Sequence, residues 1–465
     1  MFNISVYLCL LQTLIMPTFN YIVIDFKTHK QTNIKENETN YNSTDFLMNY
    51  FQNKIYFPIE VGSPPKDVAF ILRTSTSGLN IGYSICSLFG FSDLPNKFFE
   101  YTADNSTTYN LTSENIKYIS NTFTGSQSTD LFKFYTDFEK KESKQILIED
   151  LPFIYLSKFD ANKLYDDGTV CGLIGLEIFE KDSFNERYNL IHLLKQKNII
   201  DNYIFSYEFK ENNIDEGMLI IGEEPHIYNS KKYNKEQLLS DYPVGEHYDL
   251  VWGVMFNSIF FFDGENNKII MRDIKYGRFI PELYCIKGTS TYKKFIEEKF
   301  FNYYMNKNIC RFDKISYYIM NCDANSEFEI EKFPSLFFSH KKFNYTFELN
   351  YKDLFIKKGN KYFFMVIFPL SYIEHFEMGK IFLKKYFFFY DVDKKTINFY
   401  NKNIPIKTKI LKEENSYFIY LIIAGISFII ISIAIGFYFG IKIYEKKRNK
   451  RKNEVEEDYA YSLNQ

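Results

Sequence analysis

The sequence predicts a mostly-β protein with two lobes and one C-terminal transmembrane helix. Its 465 residues are too many for one ordinary domain and fit two lobes with appendages. From residue 54 onward, short runs rich in Ile, Phe, Tyr and Val alternate with Gly, Asn, Asp and Pro turns, as in β-strands. In addition, "ILRTSTSGLNI" begins at residue 71 and "IIMRDIKYGRFIP" begins at residue 269. Both are apolar runs that stop at an arginine, as two similar lobes would produce.

The N-terminal region predicts entry into the secretory pathway. Residues 2–16, "FNISVYLCLLQTLIM", are apolar but too short to span a bilayer, which indicates a signal peptide over residues 1–19. Residues 20–50 are polar, and we interpret them as an exposed leader or a short pro-segment.

The C-terminal region predicts a membrane anchor. Residues 417–441 contain no charge, and a spanning helix needs about 20 apolar residues. Lysines and arginines follow directly, so residues 442–465 are expected to be a cytosolic tail. This gives a single-pass type I protein of the secretory pathway or cell surface, with its ectodomain luminal or extracellular.

The cysteines are expected to form disulfides in that oxidising compartment. Five remain after removal of the signal peptide, so at most two disulfides form. Cys310 with Cys322, or Cys285 with either, is compatible with the sequence. Cys171 is interpreted as a small apolar core residue.

Composition excludes several functions. The net charge of −2 gives no electrostatic basis for binding nucleic acid. The six histidines are scattered without metal-ligand spacing, so we expect no metal and no cofactor.

Helical spacing is confined to few places, chiefly residues 189–200 and 290–305.

Several stretches, in order, resemble the pepsin-type aspartic protease family. "YFPIEVGSPPKDVAFILRTSTSGLNI" resembles the segment around that family's first catalytic Asp. "YTADNSTTY" from residue 101, "CGLIGLEIFE" from residue 171 and "YDLVWGVMF" around Trp252 resemble later elements. The resemblance covers residues 54–400. It implies a bilobal pepsin-like fold, with lobes over residues 51–235 and 236–412, and a peptide or protein bound in the cleft between them.

The residues that carry the family's chemistry differ here. Its mechanism uses two aspartates, one per lobe, that share a proton. Arg73 stands at the first Asp position, followed by Thr74, which matches, and by Ser75, which replaces a Gly. Ser77 also matches. An arginine is a permanent donor and cannot activate water as a base.

The second site and the flap are matched by spacing. Counting back from Pro281 places Arg272 at the second Asp position, and Asp273 would take it if the register slips by one. The flap tyrosine maps to Thr122, or to Tyr118 in another register. Two facing arginines would splay apart, pair with Asp273 or bind a bridging anion.

The sequence therefore predicts a membrane-anchored pseudoprotease that acts by binding a peptide or protein. Two alternatives remain open at this point. One is an active aspartic endopeptidase whose active-site register is misread. The other is a structural or adhesive surface protein that kept the scaffold.

Overall fold

The computed structural model describes residues 21–29, 42–47, 54–74, 77–83, 96–118, 123–135, 145–159, 170–178, 187–210, 213–246, 249–262, 268–271, 276–324, 327–405 and 438–448. Residues 1–404 belong to one compact unit, and residues 405–465 to a second. In the second unit, residues 438–448 are helical.

Strands dominate the first half of the chain, as predicted. They are Ile22–His29 (β1), Lys54–Val61 (β2), Lys66–Arg73 (β3), Ser77–Tyr83 (β4), Asn110–Tyr118 (β5), Phe123–Tyr135 (β6), Gln145–Phe159 (β7), Val170–Leu176 (β8), Ile204–Lys210 (β9) and Asn213–Ile221 (β10).

The second half is built the same way. Its strands are Leu238–Asp241 (β11), Val244–Glu246 (β12), Asp249–Val251 (β13), Gly253–Met255 (β14), Ser258–Phe262 (β15), Lys268–Met271 (β16), Tyr276–Phe279 (β17), Ile286–Lys287 (β18), Cys310–Lys314 (β19), Tyr317–Asp323 (β20), Leu336–His340 (β21), Tyr345–Leu349 (β22), Phe355–Lys358 (β23), Lys361–Phe364 (β24), Val366–Pro369 (β25), Phe376–Met378 (β26), Phe388–Asp391 (β27) and Thr396–Tyr400 (β28).

The described helices of the first unit are short. They are Ser43–Phe46 (α1), Leu190–Gln196 (α2), Pro225–Tyr228 (α3), Ser290–Ile296 (α4), Asn302–Asn306 (α5), Tyr351–Leu354 (α6) and Lys380–Lys385 (α7), with a π-helical turn, Glu297–Phe301, between α4 and α5. Both predicted helical regions are confirmed. Asn189 caps α2 and Thr289 caps α4, each through a side-chain oxygen that accepts a backbone N–H.

The largest sheet joins strands from both halves. It has 13 strands in the order β11-β28-β27-β9-β10-β1-β2-β3-β8-β4-β7-β6-β5. A nine-stranded and a four-stranded sheet hold most second-half strands. The predicted lobe boundary between residues 235 and 236 stays a prediction. β11, β27 and β28 follow this boundary in the chain but belong to the same sheet as β1 to β10.

The excess of Phe and Tyr is used for packing. Phe256, Phe338, Phe347 and Phe388 are among many aromatic rings in contact in the second half, where β22 meets β27 and β28. Such ring pairs add stability beyond the area that they bury.

The N-terminal segment differs from its prediction. We expected residues 20–50 to be exposed, but β1 lies between β10 and β2, with Ile22, Ile24 and Phe26 buried. Further along, Phe46 of α1 stacks on Phe363 of the second half, with 4.9 Å between ring centroids. These described parts of the segment are therefore built into the core.

Most of the predicted transmembrane helix lies outside the described residues. Of residues 417–441 only 438–441 are described, and the signal peptide at residues 1–19 is not. Among the residues that the structure covers, no helix combines the length and apolar character needed to cross a bilayer.

Candidate functional site

Arg73 lies at the end of a buried central strand. Residues 68–72 of β3 read "VAFIL" and are all buried, as expected for a strand covered on both faces. β3 runs parallel to β8, with Arg73 opposite Gly175. The chain leaves the core at Arg73, which is partly exposed, so this side chain stands at the edge where sites on parallel strands form.

The second half repeats the local sheet topology. β17 runs parallel to β26, while β18 is antiparallel to β26 and parallel to β25. In the first half, β3 runs parallel to β8, while β4 is antiparallel to β8 and parallel to β7. The two halves therefore share one architecture around the predicted site.

This repeat allows residues of the two halves to be matched. Ile71 and Asn80 both lie opposite Leu173, and Arg278 and Lys287 both lie opposite Glu377. Ile71 therefore corresponds to Arg278, and Asn80 corresponds to Lys287. Counting along the chain from the first of these pairs matches Ile280 to Arg73, Pro281 to Thr74, and Glu282 to Ser75.

The matched register differs from the predicted one. Arg272 and Asp273 lie outside the described residues. The pairing favours Ile280 as the counterpart of Arg73, because the strand that leads into the second loop is β17. Counting back from Pro281 had placed the counterpart before this strand.

Glu282 connects the two halves at the floor of the site. Its Oε1 accepts hydrogen bonds from the Thr74 backbone N–H, at 3.0 Å, and from the Thr74 Oγ1, at 3.1 Å. The Thr74 Oγ1 lies equally close to Glu282 Oε2. Thr74 is 7% exposed and Glu282 is partly buried. A carboxylate held by two donors is strongly oriented.

Burial and Arg73 act on Glu282 in opposite directions. Burial raises the pKa of Glu282, while the Arg73 charge, the Thr74 and Glu282 backbone N–H groups and the Thr74 hydroxyl lower it; the net pKa is raised. Sequence reasoning missed Glu282, because no carboxylate is expected at a Gly position. A Pro-Glu pair directly after a strand was the available signal.

An aromatic layer surrounds this carboxylate. Burial and the Glu282 charge raise the pKa values of Tyr207 and Tyr390 well above their usual range. Phe205 stacks on Tyr390, and Trp252 donates its Nε1–H to the Leu176 carbonyl at 2.7 Å. Buried aromatic side chains therefore lie next to Glu282.

A pH experiment tests this description of Glu282. Because the folded pKa is raised, the folded chain binds the extra proton at pH values just above the usual carboxyl pKa of 4.5, so stability falls as pH rises there. Glu282→Gln cannot titrate. We expect the free energy of unfolding in urea to rise for the variant relative to the wild type as the pH increases from 4.5 to neutrality. The rise should be about 1.4 kcal/mol for each unit by which the pKa of Glu282 is shifted.

Glu298→Gln, at an exposed position in the π-helical turn, is the matched control and should follow the wild type. Parallel stability curves for wild type and Glu282→Gln would contradict the raised pKa.

The other predicted site residues are described only in part. Tyr118 ends β5, where its backbone pairs with Phe123 of β6. Ser77 begins β4 opposite Leu176. Thr122 and Ser75 lie outside the described residues.

The cysteines confirm one predicted disulfide and correct the predictions for Cys285 and Cys171. Cys310 and Cys322 form a disulfide, which confirms that pair and excludes Cys285 as a partner of either. Cys285 is buried, which raises the pKa of its thiol above the usual range. Cys171 is buried as predicted, but it is disulfide-bonded rather than a plain apolar residue.

Metal binding finds no support in the described part of the chain. No three His, Cys, Asp or Glu side chains there are grouped closely enough to hold an ion. That the protein needs no cofactor stays an expectation.

Comparison with known proteins agrees with this architecture. The sequence profile of the family "Eukaryotic aspartyl protease" matches residues 54–402. Conglutin gamma, a basic 7S globulin from lupine seeds, is similar in structure, with a TM-score of 0.55 and 11% identity over 82% of this chain and 95% of that one. The basic 7S globulin from soybean gives a TM-score of 0.55 and 12% identity over the same shares. No curated protein sequence matches. With most of its length matched by that profile, the chain belongs to the eukaryotic aspartyl protease family.

Proposed function

We propose that this protein is a catalytically inactive member of its family, which binds a peptide or protein segment in the cleft between its halves. The observation that carries the proposal is the Thr74–Glu282 contact beside Arg73. A hydrolytic site of this family needs two carboxyl groups that share a proton and hold a water. Here the oriented carboxylate accepts hydrogen bonds from Thr74, and the positive charge of Arg73 acts on it.

The pairing of the strands supports the same reading. The residues matched across the two halves are Arg73 and Ile280, and neither can act as a base that takes a proton from water near neutral pH. The Arg73 guanidinium offers donors in a planar fork, which suits a carboxylate or a backbone carbonyl of a bound peptide.

Membrane attachment is part of the proposal. Residues 417–441 would span the bilayer once, with the ectodomain luminal or extracellular and residues 442–465 cytosolic. The bound segment would then belong to a protein of the secretory pathway or the cell exterior.

A cleavage assay tests the loss of catalysis. The purified full chain is incubated with a pooled peptide library at mildly acidic and at neutral pH, and the products are read by mass spectrometry. We expect no cleavage from wild type. Cleavage that Arg73→Ala leaves intact and a pepstatin-type inhibitor blocks would establish the alternative, an active aspartic endopeptidase.

A selection experiment tests the binding. A phage-displayed peptide library is selected on the full chain, and the binders are measured against Arg73→Ala and against Arg311→Ala, an exposed arginine of β19. We expect binders that are weakened several-fold by Arg73→Ala alone. A selection without binders, or binders indifferent to Arg73, would reject the cleft as the binding site.

A further inference from the structure

A cavity lies in the second half of the chain, and neither Thr74 nor Glu282 lines it. It has a volume of about 580 Å³. The strands β15, β16 and β21 form one wall, and α4, the π-helical turn and α5 form the other. Pockets for small organic ligands fall in the range of about 300 to 1,000 Å³.

The wall of this cavity is apolar. Eight of its fifteen lining residues are aromatic, and Ile269, Ile296, Leu336 and Pro334 add aliphatic surface. Phe261 meets Phe295, and Phe300 meets Phe333, each at 4.5 Å between ring centroids. Phe262, at the end of β15, is 40% exposed. This wall suits a hydrocarbon chain.

The charged groups at the cavity have one sign. Lys299 and Lys332 are its only charged lining residues, and both are exposed. Lys332 pairs with Glu329 at 2.7 Å. Lys299 makes no ion pair with any residue in the described part of the chain. An apolar cavity with an ammonium group at its mouth fits a molecule with an anionic head and an apolar tail.

The helix that carries Lys299 is irregular at this point. Residues Glu297–Phe301 form a π-helical turn, and two of them, Lys299 and Phe300, line the cavity. Such turns are rare and are frequently found at functional sites. The irregularity places an apolar and a cationic side chain on the same wall.

We propose that this cavity binds a long-chain fatty acid, with the tail between the two walls and the carboxylate at Lys299. The head is held by charge and the tail by burial. No residue of the Thr74–Glu282 contact takes part, so this site is independent of the proposed cleft function.

Photolabelling of the full chain in membranes tests the proposal. The probe is a long-chain fatty acid carrying a photoreactive diazirine, and the labelled peptides are identified by mass spectrometry. We expect labelling within residues 292–304 and 333–337, competed by unlabelled fatty acid. Labelling confined to residues 417–441 would mean partition into the bilayer alone and would overturn the proposal.

Substitutions test separately the contacts of the fatty acid's carboxylate and those of its hydrocarbon tail. Ile269→Trp fills the cavity, and we expect it to abolish labelling of both peptides. Lys299→Glu should weaken competition about fivefold, the scale of one exposed ion pair. Lys294→Glu, on the same helix but outside the cavity, is the matched control and should behave as wild type.

The alcohol of the same chain length tests the class of ligand. For the wild type, the alcohol should compete less well than the acid. For Lys299→Glu, whose carboxylate repels the acid, the alcohol should compete at least as well as the acid. Equal competition by acid and alcohol against wild type would overturn the assignment to a carboxylate. A folding defect in Ile269→Trp would be seen in thermal unfolding, and the Lys299 series then decides the outcome.

Discussion

Asp130→Ala is expected to lower the free energy of unfolding by about 2 to 4 kcal/mol. Asp130 is fully buried, yet its carboxylate accepts hydrogen bonds from the hydroxyls of Tyr101, Ser106 and Thr108 and from the Leu131 backbone N–H. Removing it leaves the buried Tyr101 hydroxyl and the partly buried Ser106 hydroxyl and Leu131 N–H without this acceptor, and an unsatisfied buried donor costs about 1 to 3 kcal/mol.

The effect should extend beyond the carboxylate itself. Ser106 Oγ also accepts from the Ser63 backbone N–H, and the Ser63 carbonyl accepts from Thr107. Asp130 thus fixes β6, which leads back from the predicted flap, to the turn that follows β2. Urea unfolding of the full chain measures the loss.

The matched control is Asp104→Ala, an exposed carboxylate of the same loop region. It should change stability by less than about 0.5 kcal/mol. If Asp130→Ala is equally mild, the described network does not carry the predicted energy.

Phe347→Ala is expected to cost about 3 to 5 kcal/mol, the usual range for an aromatic core truncation. Phe347 is fully buried on β22 and its ring contacts those of Phe382, Tyr386, Phe388 and Phe399, among others. The surrounding rings are large and held on several different elements. They cannot collapse into the space that the substitution leaves.

Tyr372→Ala is the control, since this aromatic residue is 67% exposed in a loop. Thermal unfolding should show a clear drop for Phe347→Ala and almost none for Tyr372→Ala. Similar midpoints for all three proteins would mean that the aromatic cluster adapts and that its packing is not specific.

Patterns along single strands and helices predicted much of the fold. The run "VAFIL" required a strand buried on both faces, and β3 is that strand. The helical spacing of residues 189–200 and 290–305 predicted α2 and the pair α4 and α5. In each case the signal lies within a few neighbouring residues.

The N-terminal strand was missed although its signal was present. Ile22, Ile24 and Phe26 alternate with other residues and all point into the core. The polar stretch that follows dominated the interpretation of residues 20–50. A window of eight residues would have separated the two.

The second half of the site could not be found in the same way. β17 has only four residues, "YGRF", and the chain then turns through Pro281. No long apolar run marks it, and its position depends on pairing with β26, about 100 residues later. The role of Glu282 depends on Thr74, more than 200 residues earlier. Contacts of this kind are not visible in local sequence.

The placement of β1 governs the order in which this chain can fold during synthesis. β1 pairs with β10, so Ile22 can pair with Ile221 only after β10 has been synthesised. In the same way, β9 gains its second neighbouring strand only after β27 has been synthesised. Closing such long loops is slow, and open strand edges invite association with other chains. Synthesis of the chain up to β28 therefore precedes completion of its main sheet. We expect the nascent chain to depend on chaperones until residue 400 has emerged.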